Sequence, residues 1–160
     1  VALRDLDVVA EIVARAVEIK ASFVAQDERE AGPRMLLNLG HTLGHAIEQT
    51  TGYSHWRHGE AIVLGMTAAL HVSLTLGSLT ARDATRAAAM LARFPLPKPL
   101  PTLAAGAVVE AALRDKKARG GRIRFVVLSR IGGAAVVEDV PEPLLRDALG
   151  TAWRSRGGVP

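Results

Sequence analysis

Between Ala61 and Leu76 the chain carries no Asp, Glu, Lys or Arg on any side of what reads as a helix. A helix that is apolar nearly all round has to be surrounded. The sequence therefore predicts a central, buried helix that begins near His58 and stops at Gly77, with the other elements packed about it. The composition agrees: aromatics make up only 4%, hydrophobic residues reach 49%, and Ala, Leu and Val dominate. Such a mixture favours helix surfaces meeting through small side chains over a strand-rich sandwich. A length of 160 residues suffices for one domain with a real core. The expected fold class is mostly α, as a single helical domain over 1–160.

The remaining elements follow from spacing and punctuation. Val9, Ile12, Val13, Ala16 and Ile19 recur with a helical period between Leu6 and Ala25, and Lys20 lies near the C-terminal end of that helix. Asp27-Glu28-Arg29-Glu30 and Gly32-Pro33 form a connector, because Pro33 disfavours helix at Gly32 while itself suiting a first helical turn. A second helix is predicted from about Arg34 to Thr50, ending before Gly52. Ser78-Leu79-Thr80 offers an N-cap for a helix over 81–93, which the Pro-rich linker 95–101 terminates. A short helix over 104–116 precedes Gly120-Gly121. Two β-branched segments, 123–128 and 134–140, flank Arg130-Ile131-Gly132-Gly133 and predict a small β-hairpin near residues 123–140. A last short helix spans 141–153.

Several function classes are disfavoured. The chain has no cysteine, so neither a disulfide framework nor a thiolate metal site is available. No apolar run reaches the ~18 to 20 residues of a membrane span, and Val1–Asp7 lacks a signal-peptide pattern, so no membrane partner and a cytoplasmic location are expected. Charge is uneven: residues 53–130 carry 12 basic and 4 acidic groups, with seven Lys and Arg against one Asp115 between Arg114 and Arg130. One Tyr and three Phe leave little for base stacking, so no nucleic-acid partner is expected. A small phosphorylated or carboxylated substrate is the better use of those cations. The chain opens at Val1 inside a predicted helix, which suggests a piece of a longer protein.

The main chemical signal is histidine. Four of the five fall within eighteen residues, at His41, His45, His55 and His58. On a helix His41 and His45 differ by about 400° of rotation and project from one face about 6 Å apart, with Glu48 a turn further on. His58 returns after the Gly52 turn, where a chain reversal brings it opposite His41. Two imidazoles suit a borderline metal such as zinc, which also accepts carboxylate oxygen. A zinc peptidase would need Glu directly after His41, and Thr42 stands there. Arg34, Asn38, His41 and His45 follow one another at intervals of four, three and four, so one helix stripe would carry a cation, an amide and two imidazoles, which a core does not tolerate unpaired. A solvated stripe is the plain alternative, yet it leaves unexplained Gly40 and Gly44, each just before a His and placed for close backbone approach. His55, His71 and Trp56 read as structural.

The run Arg34-Met35-Leu36-Leu37-Asn38-Leu39-Gly40-His41-Thr42-Leu43-Gly44-His45-Ala46-Ile47-Glu48, followed by Gly52-Tyr53 and Trp56-Arg57-His58-Gly59-Glu60-Ala61, resembles the signature of 3-dehydroquinate synthases. Asp27-Glu28-Arg29-Glu30 ahead of it, and Asp115-Lys116-Lys117 with Gly120-Gly121 after it, match in order and spacing. The resemblance covers essentially this whole chain but only the second half of the family's chain. It implies the C-terminal helical domain of the dehydroquinate synthase fold, with the N-terminal NAD-binding domain absent here. It further implies that His41 and His58 are imidazole ligands of a catalytic zinc, or another divalent metal such as cobalt. The third ligand is a Glu lying upstream of Val1; Glu48 and Glu60 belong to the C-terminal signature and are not that ligand. By the same resemblance Lys20, Arg34 and Asn38 anchor the substrate's carboxylate and phosphate, His45 handles protons near the phosphate, and either Lys116 or Lys117 adds a cation over it.

The implied parent is a lyase of the shikimate pathway, serving aromatic amino acid biosynthesis. It converts a phosphorylated sugar acid, 3-deoxy-arabino-heptulosonate 7-phosphate, to 3-dehydroquinate plus phosphate, and works as a homodimer. This chain alone is expected to be inactive. The nearest enzymatic alternative is the corresponding half of a sugar-phosphate cyclase making amino-cyclitol or valiolone precursors. An alternative of another class is a non-catalytic helical binding module.

Overall fold

The computed structural model describes residues 5–96, 104–118 and 124–158, without the side chains of 115–118. The chain divides into two compact units, residues 1–37 and residues 38–160. The helical core that the apolar segment predicts is built within the second unit.

In the first unit the Asp5 carboxylate accepts from the backbone N–H groups of Asp7 and Val8 at 3.1 and 3.3 Å, which starts α1, Leu6–Gln26. No residue of α1 is buried, and Leu6, Ile12 and Val17 stay exposed. Beyond it Asp27 organises the connector, its carboxylate accepting from the N–H groups of Ala31, Gly32 and Arg34 at 3.0, 2.7 and 3.1 Å. Glu30 turns through a positive φ of 57° in this loop.

The single helix predicted over 34–50 is in fact two. A 3-10 helix spans Pro33–Asn38, and α2, His41–Thr50, starts afresh from Gly40 at φ +80°. Only a residue without a β-carbon takes that left-handed turn readily. With three residues per turn in the 3-10 segment, Arg34 and Asn38 do not share a face, and neither continues onto α2. The proposed stripe through Arg34, Asn38, His41 and His45 is therefore corrected: only its second half, His41 and His45, lies along one helix.

In the second unit α3, His58–Thr75, occupies the predicted centre and packs against α2, α4, α6 and the hairpin. A capping box starts it, with Glu60 Oε2 accepting from the Arg57 N–H at 2.8 Å. Leu64 and Val72 of α3 are fully buried with Leu43 and Ile47 of α2. Burying each of these side chains stabilises the fold by about 1.5–3 kcal/mol. The α2–α3 crossing is close because both helices present glycine, as the placement of Gly40 and Gly44 suggested. A β-carbon on Gly40 would sit 2.6 Å from the Met66 nitrogen, one on Gly44 2.6 Å from Ile62 Cδ1, and one on Gly65 would overlap the Gly40 carbonyl oxygen.

Thr80 caps α4, Ala81–Leu91, by accepting from the Asp83 N–H at 3.2 Å. A second small cluster of Leu70, Leu79, Ala84 and Leu91 joins α4 to α3. Helix α5 runs Ala105–Ala118. The predicted hairpin forms as β1, Arg124–Arg130, antiparallel to β2, Gly133–Glu138, with Phe125 opposite Val137 and Leu128 opposite Ala134. Ser73 ties it to the central helix: its buried hydroxyl donates to the Ala69 carbonyl at 2.6 Å and accepts from the Leu128 N–H at 2.9 Å. Helix α6, Glu142–Ser155, brings Trp153 to within 6.0 Å of Trp56, ring centre to ring centre, so Trp56 is a buried packing residue, structural as expected. Among the described residues no helix is long and apolar enough to cross a membrane. Most of the predicted Pro-rich linker, from residue 97 on, lies outside the described residues.

Candidate metal centre

The tight α2–α3 crossing brings three imidazoles together. His41 and His45 project from the first turns of α2, and His58 stands at the first position of α3. Their ring centres form a near-equilateral triangle: 5.4 Å from His41 to His45, 5.5 Å from His41 to His58 and 5.4 Å from His45 to His58. The chain reversal inferred from the Gly52 turn is thus present, with Gly52 at φ +64°.

A fourth residue completes the cluster. Glu48, only 6% exposed, puts Oε2 2.9 Å from His45 Nδ1 and Oε1 3.1 Å from His58 Nδ1. Burial pushes its carboxyl up, but the hydrogen bonds from the two histidines outweigh that and hold it below its ordinary 4.5. His41 is also lowered, with the balance of causes reversed: burial takes it below its ordinary 6.5 against the pull of a hydrogen bond to the Leu39 carbonyl, 3.3 Å from Nδ1. Spacing placed Glu48 near the line of His41 and His45 without showing that one carboxylate spans two imidazoles on different helices. The signal was its i, i+3 relation to His45 together with the return of the chain at His58.

The other predicted residues divide by unit. Lys20 is exposed on α1, and Arg34 donates from Nη1 to the Glu28 carbonyl at 2.6 Å, both within the first unit. Asn38 ends the 3-10 helix, half-buried. Lys116 and Lys117 fall in the last turn of α5, outside the residues whose side chains are described. His55 meets the Ser54 hydroxyl at 2.8 Å in the turn, and His71 pairs with Asp147 at 2.9 Å, so both have local partners away from the triangle.

Imidazole nitrogens and a carboxylate oxygen, without thiolate, are the donor types of a borderline divalent ion. Among the described residues, the ligand atoms of His45, Glu48 and His58 all lie within 4.8 Å of one another. The residues present fit such an ion.

Known structures share this arrangement of elements. A 2-deoxy-scyllo-inosose synthase complexed with carbaglucose-6-phosphate, NAD+ and Co2+ superposes with a TM-score of 0.74 at 20% identity, over 92% of this chain and 40% of its own. The 2-epi-5-epi-valiolone synthase of Streptomyces hygroscopicus subsp. jinggangensis, with NAD+ and Zn2+ bound, gives 0.73 at 23% identity, over 91% and 40%. The fold is therefore one that these synthases also contain.

Sequence comparison narrows the class. The model of the family 3-dehydroquinate synthase C-terminal matches residues 1–118, and the chain belongs to that family. Curated relatives named 3-dehydroquinate synthase include one from Pelobacter propionicus, 46% identical over 88% of this chain, and one from Geobacter metallireducens, 47% identical over 84%. The chain spans about two fifths of their length, 39% and 37% respectively.

Proposed function

We propose that this chain is the metal- and substrate-binding part of a 3-dehydroquinate synthase, working with a preceding NAD-binding domain on 3-deoxy-arabino-heptulosonate 7-phosphate. The observation that carries the reading is the triangle of His41, His45 and His58 at a glycine-lined helix crossing, in a chain of this family. His41 and His58 would hold the zinc or cobalt ion together with a Glu from the preceding domain. The ion, when bound, polarises the hydroxyl that NAD oxidises and stabilises the developing alkoxide.

The chain's own residues do the rest. A dianionic phosphate plus a carboxylate calls for several cations, and Lys20, Arg34 with its bidentate fork, and Lys116 or Lys117 supply them. Asn38 adds a neutral hydrogen bond. His45, exposed beside the metal-holding pair, passes protons as phosphate leaves. Identities of 46–47% to relatives named 3-dehydroquinate synthase, against 20–23% to the cyclitol and valiolone synthases, favour the carboxylated substrate.

The test is zinc titration of the chain alone and then mixed with the N-terminal part of the Pelobacter propionicus relative. Weak binding alone and a sharp gain on mixing, with turnover of the heptulosonate phosphate when NAD is added, is the expected result. His41→Ala or His58→Ala in the mixture should cost more than the ~10–100-fold in zinc affinity that follows loss of an outer partner. Turnover by the unmixed chain, or by the mixture only on sugar phosphates lacking the carboxylate, would overturn the reading.

A further inference from the structure

Glu48 is the one buried charged side chain among the described residues, set on α2 between Ile47 and the exposed Gln49. Its two oxygens meet two imidazoles from different helices, at 2.9 Å for His45 Nδ1 and at 3.1 and 3.3 Å for His58 Nδ1. An ionised carboxylate only accepts, so both Nδ1 atoms must carry the proton, and each ring is left with Nε2 as its free lone pair. His41 reaches the same state by another route, because its Nδ1 faces the Leu39 carbonyl oxygen, also an acceptor only. All three rings thus offer Nε2, two of them through one side chain and the third through the main chain.

We propose that Glu48 is the positioning residue of this site, one carboxylate that fixes the tautomer and aim of His45 and His58 together. It rests on the reading that His41 and His58 hold the metal, and it adds that His58 binds through Nε2 while His45 is locked to it as a unit. A carboxylate behind a metal-binding imidazole sets the ring's orientation and basicity. Here the same carboxylate also orients the proton-handling ring, so a displacement of either imidazole is felt by the other. The competing role for Glu48 is direct ligation alongside His45 and His58, whose ligand atoms lie close enough together for that.

The discriminating measurement is long-range 15N–1H correlation of the histidine rings in the metal-free chain at about pH 8, where neutral imidazole prevails. The expected spectrum shows His41, His45 and His58 all protonated on Nδ1. In Glu48→Leu, which removes both acceptors at similar volume, His45 and His58 should redistribute toward Nε2–H while His41 keeps its tautomer. Glu48→Gln, which puts a donating amide nitrogen where one carboxylate oxygen accepted, should release at least one of the two. Nε2–H on His45 and His58 in the unmodified chain overturns the proposal even if every variant fails to fold. So does a Glu48→Leu spectrum unchanged from the parent. In the reconstituted mixture Glu48→Gln should weaken zinc binding ~10–100-fold. Zinc held undiminished by His41→Ala but abolished by Glu48→Leu would make Glu48 a ligand and overturn the proposal as well. Failure of the metal reading alone leaves the metal-free tautomers as expected, so the two failures are distinguishable.

Discussion

His41 and Glu48 respond to acid in the same direction, for different reasons. The His41 pKa lies below its ordinary 6.5, so on acidification the unfolded chain takes up that proton before the folded one does, and stability declines as pH falls below 6.5. The Glu48 pKa lies below its ordinary 4.5; its contribution is present above 4.5 and is lost as pH falls through its folded value. The metal-free chain should therefore melt at a lower temperature at pH 5 than at pH 7.5, with a further loss below pH 4.5. His41→Asn should flatten the first part of the profile and leave the second. An unchanged melting temperature between pH 7.5 and 5 would contradict this. At the scale of residues, the histidine cluster was legible because i, i+4 spacing is a geometric statement about a helix. The grip of Glu48 on His58 was not, since it depends on where the turn at residues 51–57 returns the chain, and no periodicity encodes that.

Helices α1, α3, α4 and α6 and the hairpin follow their sequence signals, such as the apolar period of α1, the all-apolar run of α3 and the Thr80 cap of α4. The segment 34–50 misleads for a specific reason: the spacing of its residues runs on through Gly40, and the left-handed turn that Gly40 makes close against Met66 divides it. Two substitutions test the packing of these elements. Gly65→Ala gains some helix propensity but drives a methyl into the Gly40 carbonyl, and overpacking of this kind costs about 1–3 kcal/mol. At roughly 2–4 °C per kcal/mol for a chain of this size, its thermal midpoint should fall by several degrees. Ser73→Ala leaves the Leu128 N–H without its acceptor from α3 and should cost about 1–3 kcal/mol, measured by urea unfolding. A stability equal to the parent's in either variant would contradict the corresponding contact.

Taken whole, the chain presents the triangle of histidines on a second unit whose core, from Leu43 to Trp153, closes on itself. The resemblance read from its motifs is matched by the family assignment and by the shared fold. What composition could not convey is the division at residue 37, because the amphipathic period of α1 looks the same whether its face is met from within one unit or from elsewhere. The glycine crossing has a consequence at this scale. Where Gly65 of α3 meets the main chain of Gly40 and Gly44, that point of the crossing has no side chain whose rotamer or volume can vary. The spacing of His41 and His45 from His58 is then set in part by a backbone contact that no side-chain substitution outside these glycines removes. Divergence toward new substrates on this scaffold is expected to proceed through the cation-bearing positions, with the histidine geometry carried along.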